Sequence, residues 1–288
     1  MPRHSLEALS SRSSGRAVTL LTAVAALLLP AAFLAPKSLA ANSSESGYAH
    51  QHTLIDAVGK AFIGYWNSGE REFTPEMRQV VDYWFRFHAI KAGISLALLI
   101  VLVVLGRRIG RMYVAADKSG RVTRAGLASG GVLTLALAVL ALVLVIANVQ
   151  GAVAPFTSAL SLMPVAAPHG QLAGTLAQVR EQLRASRETG HRSPPAVDMM
   201  VGDFARYHEA VVVMSAVLVL VFIGLSAVLW KRFMSTGPSD RRPGRRARGW
   251  FAALATFFSL LVAVLLVANL SNAAHPAAGL AGFFAGGF

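Results

Sequence analysis

The sequence predicts an all-α integral membrane protein. Its expected form is a four-helix transmembrane bundle made of two parallel two-span repeats. A signal peptide or signal anchor precedes the bundle, and external amphipathic helices accompany it. Three observations predict this class. The first is composition: the 288 residues are 55% hydrophobic and only 14% charged, with mean hydropathy +0.54, whereas a soluble domain carries about 25% charged residues. The second is where the charge sits. Residues 1–16, 107–124 and 231–248 hold sixteen of the 27 basic residues and three of the 14 acidic ones, leaving eleven of each elsewhere. The whole net charge of +13 therefore lies in three short segments on alternate sides of apolar runs. That is the distribution that orients spans with basic loops in the cytoplasm, and it accounts for the charge without a nucleic-acid partner.

The third observation is an internal echo. Trp84-Phe85-Arg86-Phe87-His88 precedes one apolar run, and Phe204-Ala205-Arg206-Tyr207-His208 precedes another. Arg86 matches Arg206 and His88 matches His208 at an offset of 120; Asn148 matches Asn269 and Pro155 matches Pro276 at 121. Four pairs keeping register across two helices and a variable loop indicate duplication. The expected divisions are a signal peptide or anchor over residues 1–41, a first repeat over 42–165 and a second over 166–288.

In chain order, Arg3, Arg12 and Arg16 form a basic region before the apolar stretch 17–35, and Ser38-Leu39-Ala40 offers small residues for cleavage. That apolar stretch is long for a cleaved signal, so a retained anchor is the alternative. Either outcome places residue 41 outside the cytoplasm. Residues 42–46 are polar and expected to be loose. Leu54, Val58, Ala61, Phe62 and Tyr65 recur at helical spacing, predicting an external amphipathic helix that ends near Ser68-Gly69. Thr74-Pro75-Glu76 combines an N-cap residue, a proline at the first helical position and an acid in the first turn. The helix starting there can run to about residue 106, roughly 48 Å at about 1.5 Å per residue, longer than the hydrocarbon core. The excess carries Tyr83, Trp84 and Phe85 as an interfacial aromatic belt.

After the basic loop around Lys118, residues 125–146 return across the membrane, with Gly126 and Gly130 spaced for close helix contact. Leu172, Leu176, Val179 and Leu183 predict a second external helix, and Ser193-Pro194-Pro195 stands where Thr74-Pro75 stood. The third span ends near Trp230 and the fourth covers 250–268. Both copies begin outside and cross an even number of times, so their pseudo-twofold axis is expected along the membrane normal.

A parallel duplication puts matched residues at one depth. Arg86, His88, Lys91, Asn148, Arg206, His208, Glu209 and Asn269 are thereby expected to form a polar, net-basic tier at the outer leaflet. Lys91 faces Val211 in the matched register and Glu209 faces Ala89, so each charge lacks a counterpart and the two are expected to pair. Three readings fit the tier. It can anchor the helices at the interface, with Lys91 and Glu209 locking the hairpins together. It can hold an anionic lipid headgroup on Arg86 and Arg206. Or His88 and His208 can ligate a metal or the iron of haem b.

The absence of cysteine excludes disulfides, thiolate metal sites and thiol nucleophiles. There is no P-loop, no G-x-S-x-G, no H-E-x-x-H and no paired acids of glycosidase type. Residues 96–105, 133–147, 211–223 and 260–268 contain no ionisable group, so no charged relay crosses the bundle. Arginine outnumbers lysine 22 to 5, a bias of high-GC bacterial genomes. The expected function is non-enzymatic: a multi-pass plasma-membrane protein, with both ends of the mature chain extracytoplasmic, whose cap binds a protein, ligand or lipid headgroup. No cofactor is required by this reading. The alternatives are a haem- or quinone-linked redox component and a small transporter subunit.

Overall fold

The computed structural model of the protein describes residues 3–116, 120–189, 193–235 and 243–286, which are helical apart from short turns, with no strand among them. Lys118 in the first basic loop, Arg241 and Arg242 in the second, and the C-terminal Phe288 lie outside the described residues. The helices are α1 (Arg3–Ala40), a 3-10 turn (Ser43–Ala49), α2 (Gln51–Ser68), α3 (Pro75–Ala115), α4 (Arg121–Val153), α5 (Pro155–Leu160), α6 (Gly170–Thr189), α7 (Pro195–Met234), α8 (Pro243–Ala274) and α9 (Pro276–Phe284). Five stretches are long and apolar enough to cross a membrane: Gly15–Ala40, Pro75–Ala115, Val122–Val153, Pro195–Met234 and Gly249–Ala274. Their leucines and valines stay uncovered, as with Leu220 at 71% exposure and Val132 at 69%. In water such a belt is untenable, so the natural solvent of these faces is lipid.

The ends of the elements follow their local chemistry. Thr74 Oγ1 accepts the backbone N–H of Met77 at 3.3 Å, and α3 starts at Pro75 as its cap predicts. It then runs past Gly106 to Ala115, further than expected, because Arg107, Arg108 and Arg111 are good helix formers. Gly69, at φ 67°, closes α2 in the left-handed conformation. The segment expected to be loose is instead a 3-10 turn, with the Glu45 carboxylate accepting the Asn42 backbone N–H at 3.2 Å. Two short helices, α5 and α9, were not foreseen. Each starts with proline at its first position, Pro155 and Pro276. The residues before them, Ala154 and His275, have φ −132° and −127°. A proline disfavours the helical conformation of its predecessor, and here the long helix stops and a new one begins.

The chain forms two compact units. One comprises Met1–Ala40 and Arg86–Val149, so it contains α1, most of α3 and α4. Its core is Ala25, Leu98, Leu102 and Ala141, with Leu28, Leu29, Leu99, Val101, Leu137 and Ala138 packed around them. Alanine on α1 and on α4 lets backbones approach where leucine would hold them apart. Ile109 rests on Gly130 and Gly131, whose missing side chains it overlies at 4.0 and 3.7 Å. Gly126, expected to share that contact, meets nothing within 4 Å.

The other unit comprises Ala41–Phe85 and Gln150–Phe288. It holds the α7–α8 hairpin and the short helices that cap it. Along the hairpin Phe222 stacks on Phe258, Ser226 and Thr256 share a 2.7 Å hydrogen bond, and the Trp230 indole N–H donates to Thr256 Oγ1. The cap has a core of its own. Tyr65, Phe73 and Phe156 form an aromatic triad with centroids 5.1–5.8 Å apart, and Val58, Phe62, Leu176, Val179, Leu183, Met200 and Leu280 are buried beside it. Arg180 ties the cap together, donating from Nε to the Phe284 carbonyl at 2.6 Å and from Nη2 to the Val165 carbonyl at 3.0 Å.

Candidate functional site

The eight residues of the expected polar tier fall four to each unit. In the first, His88 on α3 and Asn148 on α4 meet, with Nδ1 and Oδ1 2.9 Å apart. The Asn148 amide cannot turn round, because its Nδ2 donates to the Leu144 carbonyl one turn back, at 2.6 Å. Oδ1 is therefore the acceptor, and His88 carries a proton on Nδ1. In the second unit the same construction recurs. His208 Nδ1 lies 2.9 Å from Asn269 Oδ1, and Asn269 Nδ2 donates to the Leu265 carbonyl at 2.9 Å. Asn148 is 3% exposed and Asn269 9%, so each clamp is half shielded from water and worth more than a surface hydrogen bond. An orienting Nδ1–H bond of this kind also stands behind histidines that bind metals or hydrogen-bond donors through Nε2.

The charged members are occupied differently from expectation. Arg86 Nε donates to the carbonyl of Ala40, the last residue of α1, at 2.9 Å. It thus satisfies one of the carbonyls that a helix C-terminus leaves open and places positive charge at the negative end of its dipole. The Lys91 ammonium lies 5.4 Å from the Phe33 ring centre and 5.5 Å from that of Phe87, a cation held between aromatic faces. Arg206 pairs with Asp203 Oδ1 at 3.0 Å. Glu209 is exposed. Lys91 and Glu209 belong to different units.

Several polar residues escaped the sequence reading. Asp203 is 4% exposed and its Oδ2 accepts both the backbone N–H and the hydroxyl of Thr157, at 2.9 and 2.8 Å, which fixes the first turn of α5. Tyr65 is fully buried and its hydroxyl has no partner among the described residues. Burial pushes its pKa up to about 12, with the Asp203 charge adding to the rise and Arg71 opposing it. Ser95 and Ser215 are also fully buried, with hydroxyls unpaired among the described residues, each seven residues after a clamp histidine and therefore on the same helix face. Their offset of 120 is that of the histidines, so the sequence did carry the signal for them. Asp203 gave none, because a carboxylate three residues before an arginine looks like any solvated pair.

Around His208 the packing is tight. The Phe204 ring sits 4.5 Å from the imidazole, and Gly279 of α9 lies so close that a Cβ there would come within 2.7 Å of Phe204 and 3.3 Å of Asn272 Oδ1. Among the described residues no group of three His, Asp or Glu side chains is placed to hold a metal ion. No protein-family model, curated protein or solved structure matches this chain.

Proposed function

We propose that this chain is a multi-pass plasma-membrane protein of two parallel two-span repeats preceded by an N-terminal span. Its helical cap faces outward and binds a ligand or partner without catalysing a reaction. The observation that carries this reading is how the polar residues divide their labour. At the hairpin ends they tie helices together: each histidine to its asparagine, Arg86 to the end of α1, Asp203 to Thr157 of α5. The cap, by contrast, has a packed core and still keeps open cavities lined by polar side chains. The duplication is supported by the matching clamps, by the matching proline-initiated helices and by Ser95 and Ser215. The outward orientation is supported by the basic segments.

One observation favours a second reading, a haem- or quinone-linked redox component. In each clamp Nδ1 is the donor, and His208 Nε2 has no hydrogen-bond partner among the described residues. An optical spectrum of the purified protein decides between them. The binding reading expects no Soret band and no bound metal; a Soret band lost in His208→Ala would replace it. The expected Lys91–Glu209 pairing is tested by double-mutant cycles that combine Lys91→Met with Glu209→Gln and, separately, with Phe33→Leu. Coupling in the Phe33 cycle of about 0.5–2 kcal/mol fits the cation–π contact. Coupling in the Glu209 cycle identifies an ion pair across the repeats, and additivity there removes it.

A further inference from the structure

Ser38 and Ala40 are small residues at the third and first positions before the Ala40–Ala41 bond, the spacing read by the membrane-bound endopeptidases that remove export signals. Ser38 is exposed, and Leu39 between the two is 64% exposed. The same bond is a seam in the fold. Ala40 ends the N-terminal segment of the first compact unit and Ala41 begins the second, with α1 stopping at the one and the 3-10 turn starting at Ser43. A cut here interrupts no helix. The recognition pattern and the structural seam therefore fall on one bond.

In the folded chain that bond is closed to an enzyme. The residues before it form the last turn of α1, whereas an endopeptidase lays its substrate out as an extended strand. Ala40 is fully buried, so the small side chain that has to enter the enzyme's pocket is inside the protein. Its carbonyl oxygen, which has to turn to the enzyme's own donors as the carbon is attacked, already accepts from Arg86 Nε at 2.9 Å. Beyond the bond, the Asn42 backbone N–H donates to the Glu45 carboxylate at 3.2 Å, which pins the residues that follow. The cut itself needs only water. Water adds to the Ala40 carbonyl carbon, the bond to the Ala41 nitrogen breaks and a proton from the water passes to that nitrogen. The products are an Ala40 carboxylate and an Ala41 amine.

We propose that Ala40–Ala41 is a processing site for a signal peptidase, held closed by the docking of α1 on α3 with Arg86 as the latch. Docking selects the product. A chain in which Arg86 has reached Ala40 keeps α1, and a chain cut before that begins at Ala41. The rate of cutting then follows the share of molecules in which the end of α1 has unwound and released Arg86. A hydrogen bond from a charged donor is strong enough to change that share about 10- to 100-fold. Lys91, whose ammonium lies over Phe33 earlier on α1, adds a weaker hold on the same helix. The proposal rests on the reading of residue 41 as extracytoplasmic, because signal peptidases act on the outer face of the membrane.

The test uses the full chain purified in detergent and incubated with a purified signal peptidase, with products identified by intact mass and N-terminal sequencing. The expected result is slow cutting of the wild type and cutting of Arg86→Met at least tenfold faster, with the new N-terminus at Ala41. Arg78→Gln removes an exposed arginine from the same helix and should behave as the wild type. Ser38→Leu alters an exposed helical position and takes away the small residue that the enzyme reads. Arg86→Met combined with Ser38→Leu should therefore stay whole. Lys91→Met is the second variant should Arg86→Met fail to fold, and it should be cut about twofold to fivefold faster than the wild type. Equal rates for the wild type and the folded variants, zero included, overturn the proposal. So does a cut at another bond, or one that Ser38→Leu does not stop. The same variants are then expressed in cells, where a short Arg86→Met chain supports both the latch and the outward face of residue 41. Cutting in detergent with none in cells keeps the latch and overturns the outward reading alone.

Discussion

A histidine clamped by an asparagine whose own amide is clamped by the backbone is a rigid three-part unit, and the protein contains it twice. Removing the asparagine leaves an imidazole N–H buried without an acceptor. Asn148→Ala and Asn269→Ala should therefore each destabilise the protein by about 1–3 kcal/mol, measured by thermal unfolding in nanodiscs. The two losses should agree within about 1 kcal/mol if the clamps are equivalent. A loss at one site only would mean that the matched geometry hides different roles. Tyr65 makes a pH prediction. Its folded pKa, about 12, lies above the ordinary tyrosine value of 10.0, so the folded state holds the proton more tightly than the unfolded one. The corresponding stability is fully present below pH 10 and is lost as pH rises through 12. An ultraviolet titration of the folded protein should leave Tyr65 un-ionised until that range, and Tyr65→Phe should remove the late step while keeping stability equal or better. A Tyr65 that titrates near pH 10 would mean that the cap opens to water.

Among the elements, α1 is the one whose role the tertiary contacts change most. The sequence alone presents a cleavable signal with a retained anchor as the alternative, since Ser38-Leu39-Ala40 suits a signal peptidase and the long apolar run suits an anchor. In the structure Ala32 and Ala40 are fully buried, Arg86 caps the Ala40 carbonyl, Lys91 sits over Phe33, and Ala25 completes the core with Leu98, Leu102 and Ala141. Loss of α1 would strip Arg86 and Lys91 of these partners at once. Intact mass of the membrane-extracted protein is expected to include residues 3–40; a chain that starts at residue 41 would show that these contacts are transient. The short helices α5 and α9 teach the same lesson in reverse. Pro155 and Pro276 were visible as a matched pair. That each starts a helix depends on what receives it: Asp203 accepts from Thr157 in α5, and Arg180 donates to the end of α9.

At the scale of the whole molecule the prediction is topological. The chain has no native cysteine, so single substitutions report cleanly. Thr189→Cys should react with an impermeant maleimide added to intact cells, and Lys118→Cys only after the membrane is opened. The reverse pattern would invert the orientation and place the cap in the cytoplasm. The sequence by itself determined the helical class, the apolar spans and the helix starts at Pro75 and Pro195. It could do so because lipid demands long apolar helices whatever they pack against, and because proline at the first turn is written locally. Only the tertiary structure decided which polar groups meet: His88 with Asn148, His208 with Asn269, Arg86 with Ala40, Lys91 with Phe33 and Asp203 with Thr157. Those contacts join residues 46 to 61 positions apart on different helices. Their formation depends on the rotation of each helix about its axis, which neighbouring surfaces set and hydropathy does not encode.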